Sequence, residues 1–301
     1  MGWGPHAPEE AGLPTPPEPE VPAGTPRAPA GAAKPQKQLL PTWYATEGRH
    51  HLPWRATRDR WAVLVSEIML HQTQVSRVAQ VWAGFLQRFP TPQAMSAATP
   101  GEVISAWGTL GYPRRARRLW EAAVEISSRG WPADLAVLPG VGRYTAAAVA
   151  AQVDEADAPA VETNIRRVLE RRAGRRLSPS EAAAASVEAG GSLTGRDRLL
   201  ALMDVGALIC RPRTPRCPLC PLRDGCVTAA IADPAQAAAG LGRPSHQGAF
   251  DGSFRQRRGR VLADLRTGGP RPVDQLDAEA LRSLVADGLA AIAGPLARLP
   301  D

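Results

Sequence analysis

The chain has 301 residues and carries 36 basic and 29 acidic side chains, for a formal net charge of +7. This length allows one large domain or two smaller ones, and the basic excess makes nucleic acid a reasonable partner. No apolar run approaches the length of a membrane span, and the N-terminus lacks the apolar segment of a signal peptide. We therefore expect no membrane partner and a reducing, cytoplasmic location.

The sequence divides into blocks of different composition. Residues 1–37 are mainly Pro, Ala, Gly and Glu with little to bury, which is typical of a disordered tail. Residues 38–232 show helical apolar spacing, interrupted by turns such as GYP and LPGVG, and no alternating strand pattern. The sequence therefore predicts an all-α domain over 38–232, a linker over 233–249 and a small module over 250–301.

An acidic residue interrupts a strongly apolar helix, WAVLVSEIMLHQTQV at residues 61–75. Residues 61–65 and 68–70 are apolar on every side of the helix, which predicts that it is buried with Glu67 in its middle. A buried carboxylate is costly unless it is paired or protonated, and such costs collect at functional sites. Glu67 is therefore a candidate catalytic residue. The alternative is a glutamate at the rim that caps a neighbouring helix.

A glycine-containing turn precedes an alanine-rich helix in LPGVGRYTAAAVA, residues 138–150. The two glycines, spaced by one apolar residue, predict a tight hairpin whose backbone N–H groups open onto a helix N-terminus, where a DNA phosphate can bind. The alternative is an ordinary glycine turn between packed helices. The candidate DNA-binding residues of this hairpin are Leu138, Gly140, Val141, Gly142 and Arg143.

All four cysteines lie in CRPRTPRCPLCPLRDGC, residues 210–226. Six, two and five residues separate Cys210, Cys217, Cys220 and Cys226 in turn. Two disulfides are one interpretation. Clustered thiols in a reducing compartment more often hold a metal, because thiolates suit zinc and iron–sulfur clusters. The spacing alone leaves zinc and iron–sulfur open.

Six motifs, in this order, resemble those of the helix-hairpin-helix DNA glycosylases, and more closely those of the A/G-specific adenine DNA glycosylases. They are LPWR (52–55), SEIMLHQTQV (66–75), LGYPRRA (110–116), LPGVGRYTAAAV (138–149), VETNIRRVL (161–169) and MDVGALIC (203–210). The resemblance covers about residues 38–230. It implies the two-lobed helix-hairpin-helix glycosylase fold with an iron–sulfur cluster loop. It also implies a monomer that acts at the nucleoid on double-stranded DNA containing adenine opposite 8-oxoguanine or guanine.

The same resemblance assigns a role to the cysteine-rich segment. It implies that the four cysteines ligate a [4Fe–4S] cluster that shapes a DNA-binding surface and is not a catalytic metal. The RPRTPR segment between the first two cysteines then forms a basic loop facing DNA phosphates, with Arg211, Arg213 and Arg216 as candidate contacts.

The resemblance also implies a division of labour between two acids. Glu67 corresponds to the general acid that protonates adenine N7, and Glu162, beside Asn164, corresponds to the carboxylate that stabilises an oxocarbenium-like sugar cation. Family members that also cut the backbone use a lysine where this chain has Tyr144, and no lysine follows Lys37. We therefore expect a monofunctional enzyme that uses water as the nucleophile.

Several positions depart from the family pattern or carry over less directly. The usual residue at position 162 is aspartate, so Glu162 predicts a slower enzyme. We still expect a genuine glycosylase, because the other catalytic candidates, Glu67, Tyr144 and Asn164, are in place. The alternative role of Glu162 is to cap the following helix. Gln72 corresponds to a glutamine that inserts into the base stack, and Tyr112 to a tyrosine wedged beside the base opposite the adenine. His71 replaces a glutamine. Arginines that offer phosphate contacts or form a solvated face are found at positions 114, 115, 117, 118, 166, 167, 171 and 172.

The C-terminal segment differs from the β-rich domain that many family members carry. Its two amphipathic stretches, FRQRRGRVLADLR and AEALRSLVADGLAAI, look like the helices of a small winged-helix module, which either contacts DNA or packs on the main domain. Two other functions stay open from the sequence. One is a thymine or uracil mismatch glycosylase of the same fold, and the other is a lesion-binding protein impaired in catalysis by Glu162.

Overall fold

The computed structural model describes residues 40–231 and 248–301. The predicted disordered tail, residues 1–37, and positions 233–247 of the predicted linker lie outside the described residues. The boundaries proposed for these segments therefore stay predictions. The part of the chain from Lys37 to Asp301 groups into one compact unit.

Residues 40–231 are helical, as the apolar spacing predicted, and contain no strand. Their ten α-helices are α1 (Leu40–Glu47), α2 (Arg60–Leu70), α3 (Val75–Arg88), α4 (Pro92–Ser96), α5 (Pro100–Trp107), α6 (Arg114–Arg129), α7 (Arg143–Val153), α8 (Thr163–Ala173), α9 (Pro179–Gly190) and α10 (Gly195–Asp204). A π-helical turn, Val205–Ile209, extends α10 towards the cysteines. None of the described helices is both long and apolar enough to cross a membrane.

Local sequence signals explain where several helices begin. Asp59 accepts a hydrogen bond from the backbone N–H of Ala62 and so caps α2. Thr99 and Ser178 each form a capping box with a glutamate three residues later, at the start of α5 and α9. Each box satisfies backbone N–H groups that the helix itself cannot pair.

Two separate apolar clusters give the domain its two lobes. The larger cluster contains the buried faces of α2, α3, α5 and α6, with Trp107 and Ile68 nearly inaccessible at its centre. The smaller cluster contains α1, α8 and α10, with Ile165 and Leu202 at its centre. Helix α7 contributes to both, with Val149 in the first and Ala148 in the second. The functional cavity lies between these lobes.

Residues 248–301 form a small module of helices and strands. Helix α11 (Phe254–Gly268) is followed by β1 (Arg271–Pro272), α12 (Ala278–Ala286), β2 (Ala291–Ala293) and β3 (Leu296–Arg298). The strands form an antiparallel sheet of order β1–β3–β2, in which Pro272 faces Leu296 and Ile292 faces Ala297. Helix, strand, helix and hairpin follow one another as in a winged helix, which confirms the predicted architecture. The strands have only two or three residues, too few for an alternating pattern to reveal them.

Candidate active site

A cavity of about 960 Å³ opens between the two lobes. Its lining includes every side chain predicted to take part in catalysis, together with the predicted inserting glutamine: Glu67, Tyr144, Glu162, Asn164 and Gln72. These residues come from α2, from the first turns of α7 and α8, and from the turn after α2. Residues far apart in sequence therefore meet at one site.

Glu67 is buried, as its apolar helix predicted, and only 4% of its surface is exposed. Its Oε1 accepts a hydrogen bond of 2.7 Å from Nε2 of Gln152 on α7. Burial raises the pKa of Glu67 to about 7, although hydrogen bonds from Gln152 and Tyr144 oppose this rise by stabilising the carboxylate. The group can therefore be protonated near neutral pH and still lose its proton readily.

Tyr144 lines the cavity close enough to both acids for their charges to act on it. Its hydroxyl donates to Sδ of Met203 at 3.9 Å, and both side chains pack against the smaller cluster. Burial raises the pKa of the Tyr144 phenol well above its usual value, and the charges of Glu67 and Glu162 act in the same direction. The phenol is therefore a neutral donor in this cavity and not a base.

Glu162 both lines the cavity and caps a helix. Its Oε2 accepts from the backbone N–H and the side-chain amide of Asn164, at 2.7 and 3.1 Å, and its Oε1 accepts from the N–H of Ile165 at 2.9 Å. Burial raises the pKa of Glu162, while these backbone bonds and the charge of Arg167 lower it. The two interpretations from sequence are therefore compatible, because capping fixes the carboxylate at the cavity wall.

A buried ion pair forms another part of the wall. Asp204, with no exposed side-chain surface, accepts from both terminal nitrogens of Arg55 at 2.7 and 2.8 Å and from Nε of Arg49 at 2.6 Å. Both arginines also line the cavity. These three residues were not singled out from the sequence, although Arg55 belongs to the LPWR motif and Asp204 to MDVGALIC.

Two exposed turns next to the α2 C-terminus hold their backbone in an unusual conformation. Gln72 has φ +55° and Tyr112 has φ +48°, and among the described residues only Glu155 is another non-glycine with positive φ. This backbone region costs free energy for such side chains and is found preferentially at functional sites. Tyr112 is also 40% exposed, which is unusual for a large aromatic side chain.

Arg115 joins these two turns. Its guanidinium lies 5.3 Å from the ring centres of both Trp107 and Tyr112. It donates five hydrogen bonds of 2.5–3.0 Å, to the carbonyls of Ile68, Met69, His71 and Gly111 and to the hydroxyl of Thr73. Arg115 thus links the two turns through internal hydrogen bonds. It is not the phosphate contact that its arginine-rich segment suggested.

His71, which replaces the family's glutamine, lies at the cavity wall. Its Nε2 is 3.0 Å from the hydroxyl of Thr145 on α7. Burial lowers the pKa of His71, and the charge of Arg115 lowers it further. The imidazole is therefore neutral near pH 7 and can offer the cavity a hydrogen bond without a charge.

The glycine hairpin forms a tight turn that leads into the N-terminus of α7, as the sequence predicted. Gly140 has φ +77°, and a Cβ there would lie 2.7 Å from Cβ of Arg118, so a side chain is excluded. Gly142 begins α7 without any side-chain cap, which leaves the first N–H groups of that helix directed outward. Leu138 and Val141 are each 5% exposed and belong to the larger apolar cluster.

The four cysteines are free thiols that line one small cavity. The described residues include no group of three or more His, Cys, Asp or Glu side chains that could hold a single metal ion. Burial raises the pKa of Cys220 to about 12, while a backbone N–H at Leu222 opposes this rise. Nη1 of Arg171 lies 3.6 Å from Sγ of Cys210. The thiols are thus gathered at one place next to donors that stabilise negative charge on sulfur.

Comparison with known proteins agrees with this geometry. Residues 65–188 match the model of the HhH-GPD superfamily base excision DNA repair proteins. The chain is 40% identical to an adenine DNA glycosylase of Mycolicibacterium smegmatis over 274 residues, which cover 83% of this chain and 90% of the relative. The chain belongs to the adenine DNA glycosylase family. The recognition made from its motifs is therefore confirmed.

Solved structures support the same fold for this adenine DNA glycosylase family member. A thermostable thymine-DNA glycosylase matches with a TM-score of 0.57 and 29% identity, over 63% of this chain and 93% of that one. An endonuclease III bound to DNA matches with a TM-score of 0.53 and 22% identity, over 62% of this chain and 90% of that one. The second likeness concerns the fold alone.

Many arginines of the arginine-rich segments of this glycosylase have partners within the protein, although Arg114 and Arg118 are also well exposed. Arg114, Arg117 and Arg118 form ion pairs with acidic side chains. Arg167 and Arg171 are each 2% exposed and donate to backbone carbonyls of the cysteine-containing segment. The expectation of a phosphate-binding or solvated arginine face is therefore wrong for the buried members, because carbonyls at the π-turn and the cysteine loop are their partners.

Proposed function

We propose that this protein is a monofunctional DNA glycosylase that excises adenine paired with 8-oxoguanine or guanine during base excision repair. The observation that carries the proposal is the buried Glu67, whose pKa is raised to about 7 in a cavity that also contains Glu162. Two carboxyl groups with different protonation behaviour are what acid-assisted cleavage of a glycosidic bond requires. We further propose that it acts as a monomer on nucleoid DNA in the cytoplasm.

Adenine in a duplex is inaccessible, so the reaction begins by flipping the nucleotide into the cavity, which costs a few kcal/mol of unstacking. Protonated Glu67 then donates its proton to N7 of the adenine. The added positive charge draws electrons from the C1′–N9 bond, and the bond breaks with both electrons going to the base. Gln152 donates a hydrogen bond to the resulting Glu67 carboxylate and so stabilises its negative charge.

Bond cleavage leaves a positive charge on the sugar. Glu162 is the carboxylate that stabilises this oxocarbenium-like cation and orients the incoming water. Its oxygens are held by the N-terminus of α8 and by Asn164, so the position of the charge is set before the reaction. Attack of water at C1′, with transfer of one of its protons to the Glu67 carboxylate, gives an abasic site and free adenine and restores the protonated acid.

The DNA contacts follow from the surfaces around the cavity. The uncapped N-terminus of α7 at Gly142 and Arg143 binds one phosphate. Gln72 inserts into the base stack, and Tyr112 lies against the base opposite the adenine. Further phosphate contacts come from the segment between the first two cysteines, through Arg211, Arg213 and Arg216.

The cysteine-lined cavity would hold a [4Fe–4S] cluster, with Cys210, Cys217, Cys220 and Cys226 as ligands. The residues fit this group, because the four free thiols share one cavity and backbone N–H groups are directed at two of the sulfurs. When bound, such a cluster ties the loop together at four points and has no part in breaking the glycosidic bond.

The proposal is tested by a single-turnover assay on duplexes that contain A opposite 8-oxoguanine, A opposite G, T opposite G, and U opposite G. Alkali cuts the abasic product, and mass spectrometry identifies the released base. We expect release of adenine only. Release of thymine or uracil would favour a mismatch glycosylase, and tight binding without any release would indicate a catalytically impaired lesion-binding protein. A brown protein that absorbs near 400 nm and contains iron would support the cluster, whereas stoichiometric zinc would contradict it.

A further inference from the structure

The C-terminal module contacts the α5–α6 hairpin at three separate points. At the start of α5, the N–H of Gly101 donates to the carbonyl of Pro300 at 2.8 Å, and a Cβ at Gly101 would lie 2.4 Å from that oxygen. At the turn, Arg266 of α11 donates to the carbonyl of Gly108. At the start of α6, Arg114 pairs with Asp287. The hairpin is thus held at the start of α5 and on both sides of its turn.

Asp287 takes part in several of these contacts. Its side chain is only 10% exposed and accepts from Arg258 of α11 at 2.5 Å as well as from Arg114. Its backbone carbonyl accepts from Nη1 of Arg117 at 2.9 Å. The next residue, Gly288, has φ +63°, and a Cβ there would overlap that Arg117 nitrogen. One short segment after α12 therefore fixes two arginines of the first turns of α6.

Apolar side chains of the C-terminal module also pack against the α5–α6 hairpin. Leu262 and Leu265 of α11 and Leu284 of α12 belong to the same buried cluster as Trp107 and Leu110, the residues just before the turn. The module is thus part of the core beneath the hairpin. In contrast, a module that moved independently to bind DNA would have its own separate core.

Tyr112 lies in the turn that these contacts hold in place. The side chain is exposed and its backbone is in the positive-φ region, so the conformation persists only if the surroundings impose it. Gly108 and Arg114 flank Tyr112 in the chain, and both are bound by the C-terminal module. The contacts therefore act within four residues of the exposed ring.

Two arginines of α11 already pair with acidic side chains of the module. Arg257 pairs with Asp277 at 3.0 Å and with Glu279 at 2.7 Å, and Arg258 pairs with Asp287. A phosphate would have to displace these acids. Internal pairing of this kind serves the fold of the module and not counterion release on DNA.

We infer that the C-terminal module stabilises the conformation of the Gly108–Tyr112 turn. Within it, Asp287 is a positioning residue for discrimination of the base opposite the adenine. This inference rests on the proposed function, since it requires Tyr112 to lie against that base. Loss of Asp287 leaves the Glu67 cavity intact and frees the first turn of α6. The effect then falls on the preference for 8-oxoguanine over guanine and not on adenine release as such.

The test is a double-mutant cycle in the full chain with Asp287→Asn, Tyr112→Ala and the pair. Single-turnover rates on A·8-oxoguanine and A·G duplexes are compared per active site, so that a lower folded fraction does not change the ratio. We expect Asp287→Asn to reduce the preference about tenfold, Tyr112→Ala to reduce it at least as much, and the pair to match Tyr112→Ala alone. Glu279→Gln, which breaks an ion pair inside the module, is the matched control with an unchanged preference.

The outcomes separate the inference from the proposed function. If the wild-type protein releases no adenine, the proposed function is wrong and the inference fails with it. If adenine is released but Tyr112→Ala keeps the full preference, the excision activity stands and the inference is overturned. The inference alone is also overturned if Asp287→Asn behaves as wild type, or if its effect adds to that of Tyr112→Ala. Arg266→Gln, which removes the contact to Gly108 instead, gives a second variant should Asp287→Asn fail to fold.

Discussion

Gln152 donates a 2.7 Å hydrogen bond to Glu67 in a fully buried environment. The amide stabilises the carboxylate and therefore limits the rise in pKa that burial causes. The balance of these two effects puts the pKa of Glu67 at about 7, so that the acid is available at neutral pH and its conjugate base is tolerated.

Replacing Gln152 with Met should shift the pH profile of adenine release. The variant loses the donor to the carboxylate, so the pKa of Glu67 rises further. Because the protonated form is the active one, the rate falls with increasing pH as the group ionises, and this falling limb should move up by about one unit, or ~1.4 kcal/mol. Single-turnover rates between pH 5 and 9 measure the shift, and a limb at unchanged or lower pH would contradict the account.

Glu162→Asp should accelerate adenine release. Aspartate is a good N-cap and can still accept from the α8 backbone, so we expect little change in stability. The shorter side chain matches the family's usual residue, and a displacement of about 1 Å in a catalytic group can cost on the order of 100-fold in rate. Single-turnover kinetics on the A·8-oxoguanine duplex test this. A slower variant with an unchanged melting temperature would show that the cavity is adapted to glutamate.

Arg167→Gln should weaken both the active site and the cysteine-containing loop. Its guanidinium donates to Oδ1 of Asn164 at 2.8 Å, to the carbonyl of Gly206 at 2.7 Å and to the carbonyl of Cys210 at 2.9 Å. Since Arg167 is buried and its acceptors are buried or partly buried, losing this donor should cost about 3 kcal/mol of stability.

Adenine release by this variant should fall about 10- to 100-fold, together with a lower iron content per protein. Arg175→Gln is the control, because Arg175 forms an exposed ion pair with Glu181 on the same lobe. Equal iron content and equal rate in both variants would refute a link between the loop and Asn164.

Borohydride should not trap this protein on DNA. Lysine-dependent strand cleavage needs an amine that forms a Schiff base, and the only lysines of the chain are Lys34 and Lys37, far before the catalytic segments. Tyr144, at the position of the family's lysine, has no such chemistry. Incubation with an A·8-oxoguanine duplex and borohydride, followed by denaturing electrophoresis, should show free protein only. A strong covalent adduct would rule out the monofunctional mechanism.

The burial of Glu67 and the tight turn before α7 could be predicted from the sequence because their signals are local. Glu67 is conspicuous as a lone acid in an apolar helix. The hairpin glycines predict a tight turn that leads into a helix N-terminus. Both features follow from neighbouring residues, and the structure places them as expected. Local signals do not show which distant segments meet. The expectation that the segment containing Glu162 lies near Glu67 came from the resemblance of the motifs to a known family.

The arginines could not be assigned in this way. Arg115 looks like its neighbours in the RRARR run, but it alone faces the carbonyls at the end of α2. Similarly, the capping role of Glu162 and its place in the cavity looked like alternatives, although one geometry provides both. Which partner a long side chain finds depends on tertiary packing, and that information is absent from spacing and composition. The short strands of the C-terminal module were missed because periodicity needs more than three residues.

The most direct test of the central claim is the single-turnover rate of Glu67→Gln on an A·8-oxoguanine duplex. Glutamine keeps the size and polarity of the side chain but cannot donate a proton to N7. We predict that the variant still binds the duplex with wild-type affinity and that its rate of adenine release falls by at least about 100-fold, with no remaining dependence on pH near 7. A variant that releases adenine at close to the wild-type rate would contradict the assignment of Glu67 as the general acid.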